Sequence, residues 1–172
     1  QYLGDSDIPG ASGANIHAAQ RQTMYALVDD LTNPSGTTAV IPSLRSSLQQ
    51  QTLSGGGSTR SVSGNAVDYS TKKGWYIDLP DAGERVNTSP VLALRALVFT
   101  SNIPNSDVCS PGGSSWLNIV DYKTGAVVPG LTAASWSLGN VLASRPILIQ
   151  RRDGSIQILV RTSTAETLVM PG

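Results

Sequence analysis

Three short segments constrain this chain more than anything else in it. MYALVDD (24–30), WYIDL (75–79) and WLNIVDY (116–122) each carry apolar residues at strand spacing and contain an aliphatic–aspartate pair, at Asp29, Asp78 and Asp121. The intervals are roughly 40–50 residues, and a period of that size filled with several short strands marks propeller blades. The whole 172-residue chain reads as a single segment of a larger β-propeller domain, with blade-like units near 1–32, 58–90, 91–130 and 131–162. Three or four blades do not close a ring of the usual size, about four to eight. The expected fold is therefore all-β, a section of a propeller with one short helix; the alternative is an isolated β-sandwich-like domain.

The local punctuation agrees. Apolar runs bounded by Gly, Pro, Ser and Asn predict strands at 23–29, 74–79, 96–100, 115–122, 146–150 and 155–161. Arg151-Arg152-Asp153-Gly154 predicts a hairpin between the last two, because glycine accepts the positive φ of a tight turn. Asp121 opens a second turn, VDYKTG, where its carboxylate can accept backbone N–H groups two residues on and Gly125 can take the left-handed position. The helix is expected over 43–53, with Ser43 as cap, Leu44 and Leu48 on one face and the glycine run 55–57 as its stop. That run lacks the Lys-Ser/Thr of a phosphate-cradling loop.

Composition narrows the partners. Charged residues make up 14% of the chain, twelve of each sign, so there is no basic field for nucleic acid or anionic lipid. Ser, Thr, Gly and Pro supply much of the polarity, as in β-rich extracytoplasmic proteins. No apolar run approaches the roughly 18 residues of a membrane helix, so no membrane insertion is expected. Cys109 is the single cysteine; it is either a free thiol or half of a disulfide to something outside this chain. Gln1-Tyr2-Leu3-Gly4 starts as if in mid-strand, without a signal pattern, and the expectation is a piece of a longer polypeptide.

The stretch GWYIDLPDAGERV (74–86) holds the most particular residues. Asp78 and Glu84 invite a catalytic reading, but acid–base chemistry also wants a nucleophile, a histidine or a metal, and the motif places none. The preferred expectation is structural: Asp78 and Arg85 fix a turn, the carboxylate either accepting backbone N–H groups or paired with the guanidinium fork, with Trp75 and Ile77 on the face opposite Tyr76 and Asp78. His17 has no companions at ligand spacing, and no G-x-S-x-G elbow exists for a hydrolase. Trp116 is expected in the core; Trp136 has two readings, packing or an exposed adhesive contact.

Taken in order, GWYIDLPDAGERVNTSPVLALRALVFTSNIP (74–104) and CSPGGSSWLNIVDYKTG (109–125) resemble the carboxy-terminal half of the PilY1 family, also called neisserial PilC. QYLGDSDI and QRQTMYALVDD resemble the preceding blade. The resemblance implies the C-terminal blades of a modified, quinoprotein-like propeller, with Trp75, Asp78, Glu84, Arg85, Trp116, Asp121 and Gly125 as its structural motif. It further implies a non-enzymatic factor of the bacterial cell surface and pilus tip, exported through periplasm and outer membrane. Such a factor supports type IV pilus assembly, twitching motility, adhesion and virulence through contacts with minor pilins and a host-surface receptor. In this picture loops at 33–60 and 101–114 are presented for binding. The family carries a calcium loop elsewhere; here Asp5 and Asp7 imitate only its first half, since Pro9 and Ile16 occupy ligand positions, and no cofactor is expected in this segment. Two rivals share features of the sequence. One is a fragment of a pyrroloquinoline-quinone dehydrogenase, through the Asp-x-x-Thr-Gly turn and Trp-rich strands; the other is a carbohydrate-binding adhesion module, through the aromatics alone.

Overall fold

The computed structural model describes residues 21–28, 45–105 and 112–171. These fold into β1 (Thr23–Leu27), β2 (Gln49–Ser54), β3 (Thr59–Val62), β4 (Gly74–Asp78), β5 (Val91–Ala93), β6 (Ala96–Pro104), β7 (Gly113–Asp121), β8 (Ser135–Gly139), β9 (Ile147–Gln150), β10 (Ile156–Arg161) and β11 (Thr167–Pro171). All six apolar runs read as strands form strands. Asp5, Asp7, His17, Asp29 and Cys109 lie outside the described residues.

Eight strands make one mixed sheet in the order β1-β4-β2-β3-β8-β7-β6-β5, and β11-β10-β9 make a smaller antiparallel sheet. The pairing runs across the blade-like units read from the sequence: β1 joins β4, and β3 joins β8. The large sheet curls, because Trp75 and Ile77 of β4 pack against Phe99 of β6 and Val120 of β7, strands far from β4 in the ladder order. Alternation then lets β6 and β7 serve two cores. Phe99 and Val120 face into the curl. Val98, Leu117 and Ile119 face the three-stranded sheet, where Ile158 and Val160 meet them. Each such side chain taken fully from water contributes about 1.5–3 kcal/mol, so the β6–β7 ladder, covered on both faces, is the spine of the molecule.

The helix expected over 43–53 does not form, and no helix occurs among the described residues. Residues 45–47 turn, and β2 follows with period two: Gln51 and Leu53 are buried while Gln50, Thr52 and Ser54 are exposed. Glutamine is a good helix former, but parallel pairing of Gln49–Thr52 with Trp75–Asp78 supplies packing that local propensity does not foresee. The loops expected at 33–60 and 101–114 are corrected in the same way. The first contains β2 and the start of β3. The described ends of the second are paired strands, from Ser101↔Trp116 to Pro104↔Gly113.

The β9–β10 hairpin forms as expected, with Gly154 at φ 85. Asp153 accepts hydrogen bonds from the Ser155 N–H at 2.9 Å and its hydroxyl at 2.6 Å, which closes the turn. By contrast, the β5–β6 connection uses Leu94 and Arg95 at φ 46 and 74, left-handed backbone without glycine or asparagine.

Candidate functional site

The residues singled out from sequence fall into three separate groups. The first surrounds the VDYKTG turn. Asp121 is buried; its Oδ1 accepts from the N–H groups of Lys123 (2.9 Å) and Thr124 (3.1 Å), and Arg95 donates to Oδ2 at 3.2 Å. Three successive carbonyls of this turn are then bound from elsewhere: Tyr122 by the Trp75 indole N–H (2.9 Å), Lys123 by the Tyr69 hydroxyl, and Thr124 by the Gln51 amide (2.7 Å). Gln51 is fully buried and saturated, donating also to the Asn65 carbonyl and accepting from Ser63 and the Asn65 N–H. Gly125, at φ +70, sits on the Trp75 ring so closely that a Cβ would come within 2.7 Å of it. The turn thus docks on the floor of the curl through three backbone carbonyls, each held by a side chain from another part of the fold.

The second group is a buried ion pair. Arg60, on β3, donates through Nη1 to Glu84 at 2.9 Å and through Nη2 to Asp81 at 2.5 Å, and its guanidinium stacks 3.7 Å above the Trp116 ring. Glu84 takes a further bond from the Ser101 hydroxyl (2.5 Å), and its other oxygen accepts the Asp81 N–H (3.2 Å). The chain continues from Asn118 to Ser101 (3.0 Å) and from Ser135 to Asn118 (2.6 Å). Arg60 is 1% exposed and Glu84 not at all. The network joins β3, the 81–84 turn, β6, β7 and β8, with every charge given a hydrogen-bonded partner, as burial requires.

The third group lies at the surface. Contrary to the expected pair, Asp78 is not held by Arg85; Arg45 holds it with both guanidinium arms, at 2.7 and 2.9 Å, and Thr23 donates to it at 2.6 Å. Arg45 also lies 4.8 Å over the Tyr76 ring. The Arg45 guanidinium holds the Asp78 carboxyl below its ordinary range, with Thr23 adding to the effect against the opposing effect of burial. A carboxylate so held is a poor proton acceptor at neutral pH. Arg85 instead donates to the Gly83 carbonyl at 3.1 Å, and its backbone bridges to Asn102. Trp75 and Ile77 do face opposite to Tyr76 and Asp78: the first two are in the core, while Tyr76 lies under Arg45 beside Tyr25.

Trp116 is buried beneath Arg60, and Trp136 is half-buried, packed against the second core. Arg60, Asp81, Arg45 and Gln51 were not legible as partners. Asp81 sits three residues before Glu84, a turn spacing that could have drawn attention to it; the other three stand far from their partners in sequence. A cleft of about 830 Å³ opens beside the third group, lined in part by Arg21, Tyr25, Arg45 and Val86. Among the described residues no group of three or more His, Cys, Asp or Glu could hold a metal, and no helix is long and apolar enough to cross a membrane.

The chain, whose described residues form strands and connections without a helix, is placed in a class by its sequence. It is a distant, partial homologue of type IV pilus biogenesis factors. The relatives are PilY1 proteins. A PilY1 homologue of Xylella fastidiosa is 35% identical over 78 residues, 42% of this chain and 5% of that protein. PilY1 of Pseudomonas aeruginosa, strains PAO1 and PAK, is 30% identical over 131 residues, 65% of this chain and 11% of that protein. The chain therefore spans about a tenth or less of the length of these relatives. No protein-family profile matches the chain, and no solved structure matches it.

Proposed function

We propose that this chain is a structural part of a type IV pilus biogenesis factor, acting at the bacterial surface without catalysis. The observation that carries the reading is the homology to PilY1 proteins over 65% of the chain. The three tie points support it, since they spend the chain's distinctive polar residues on holding strands together. In this reading the segment is one part of a larger propeller, rigid enough to present strand connections to minor pilins at the pilus tip and to a host surface during adhesion and twitching.

The test is an in-frame chromosomal deletion of the segment, scored for sheared surface pili and twitching zones against a restored strain, with secretion of the shortened protein checked in parallel. Loss of pili or motility at normal secretion is expected. Normal pili and motility would remove the proposal.

A further inference from the structure

The three-stranded sheet carries apolar side chains on both faces. Its inner face, with Ile158 and Val160, belongs to the second core. On the outer face Ile147, Leu159 and Val169 stand directly opposite one another across β9, β10 and β11, forming one unbroken apolar row. Ile147 is 53% exposed and Val169 49%, and Ile149, next along the same face of β9, is 42% exposed. Strands covered on one side alternate apolar and polar; near-continuous apolar runs such as ILIQ and IQILVR are written for cover on both sides. Nothing among the described residues covers this outer face.

The charges around the row say what kind of cover it fits. Arg151 and Arg152 stand at the β9–β10 turn, one end of the sheet. At the other end is Arg161, whose carbonyl accepts the Ser144 N–H at 2.8 Å, which brings Arg145 alongside. All four arginines are exposed. Arg151 bonds to Gln157, and none of the other three has an ion-pair partner among the described residues. The nearby acids do not balance them: Asp153 is engaged by Ser155, and Glu166 is a single carboxylate. The six residues of β10 span about 20 Å from one arginine pair to the other.

We propose that this face docks an extended polypeptide segment of a partner protein, with aliphatic residues in its middle and carboxylates at both ends. A second copy of the same face is disfavoured by arginine meeting arginine. The inference stands on this sheet alone and does not require the pilus role.

The probe is a labelled synthetic peptide with alternating valines and threonines between two pairs of glutamates, titrated against the full chain by fluorescence anisotropy beside a twin carrying lysines in place of the glutamates. The glutamate peptide binds at least about tenfold more tightly than its twin, and rising salt weakens it. Ile147→Thr with Val169→Thr, both at exposed strand positions and β-branched, lowers that affinity about tenfold or more while leaving the thermal midpoint in place. Arg152→Glu with Arg161→Glu inverts the preference between the two peptides. Absence of binding, or equal binding of both peptides, would overturn the proposal. So would association with phosphatidylglycerol vesicles in place of the peptide, or self-association abolished by the Ile147/Val169 variant.

Discussion

Arg60–Glu84 and Arg45–Asp78 are the same chemical pair in two settings. Both join an arginine on or before an early strand to a carboxylate in the 74–86 stretch, and both arginines lie over an aromatic ring. The first is sealed inside the curl. In the second the Arg45 side chain is half exposed, at 50%. Water decides the difference: a buried charge that loses its partner has nowhere to turn, whereas a surface charge is resolvated at once. The inner pair makes the curl conditional on its own completeness, and the outer pair only trims the edge of the sheet.

The largest effect is expected at Arg60. Arg60→Ala leaves Glu84 buried without its counter-charge and uncovers the Trp116 ring, at a cost of about 3–5 kcal/mol in urea denaturation. Adding Glu84→Gln to Arg60→Met should restore part of the loss seen with Arg60→Met alone. A loss below about 1 kcal/mol for Arg60→Ala would place the pair among surface bridges. Next comes Gly125→Ala, where a Cβ meets the Trp75 ring on left-handed backbone. It should cost about 1–3 kcal/mol and alter the tryptophan emission spectrum. Asp121→Ala removes the acceptor of two part-buried turn N–H groups, for about 1–2 kcal/mol, with Asp121→Asn milder because its carbonyl still accepts.

The smallest effect is at the outer pair. Asp78→Asn should cost no more than about 1 kcal/mol. Its signature is the pH dependence. Arg45 depresses the folded carboxyl below the ordinary 3.8, so as pH falls the unfolded chain takes up the proton first. The stability this group adds is complete above about pH 4 and is lost as pH falls through the folded pKa, so Asp78→Asn flattens the acid limb of the stability curve. An unchanged acid limb would contradict the pairing.

What the sequence makes legible follows from the range of the interactions. The strands from apolar runs, the Asp153-Gly154 hairpin and the Asp121 turn with Gly125 are all set by residues a few positions apart, and all are present. Expectations that needed a distant partner fared differently. Gln51 looks like a helix residue until β4 and the 121–125 turn lie beside it. Asp78 lies seven positions from Arg85, yet its partner is thirty-three positions away in Arg45. Arg60, between a threonine and a serine on a short strand, has nothing local to mark it as the centre of a buried network. β5 escaped notice because its turn uses Leu94 and Arg95 where glycine or asparagine would announce it.

The most direct measurement is a pair of double-mutant cycles, Arg60 with Glu84 and Arg45 with Asp78, in urea at low and high salt. The coupling at the inner pair should be several times that at the outer one, insensitive to salt inside and screened outside. Couplings of equal size, or an inner coupling that salt removes, would contradict this.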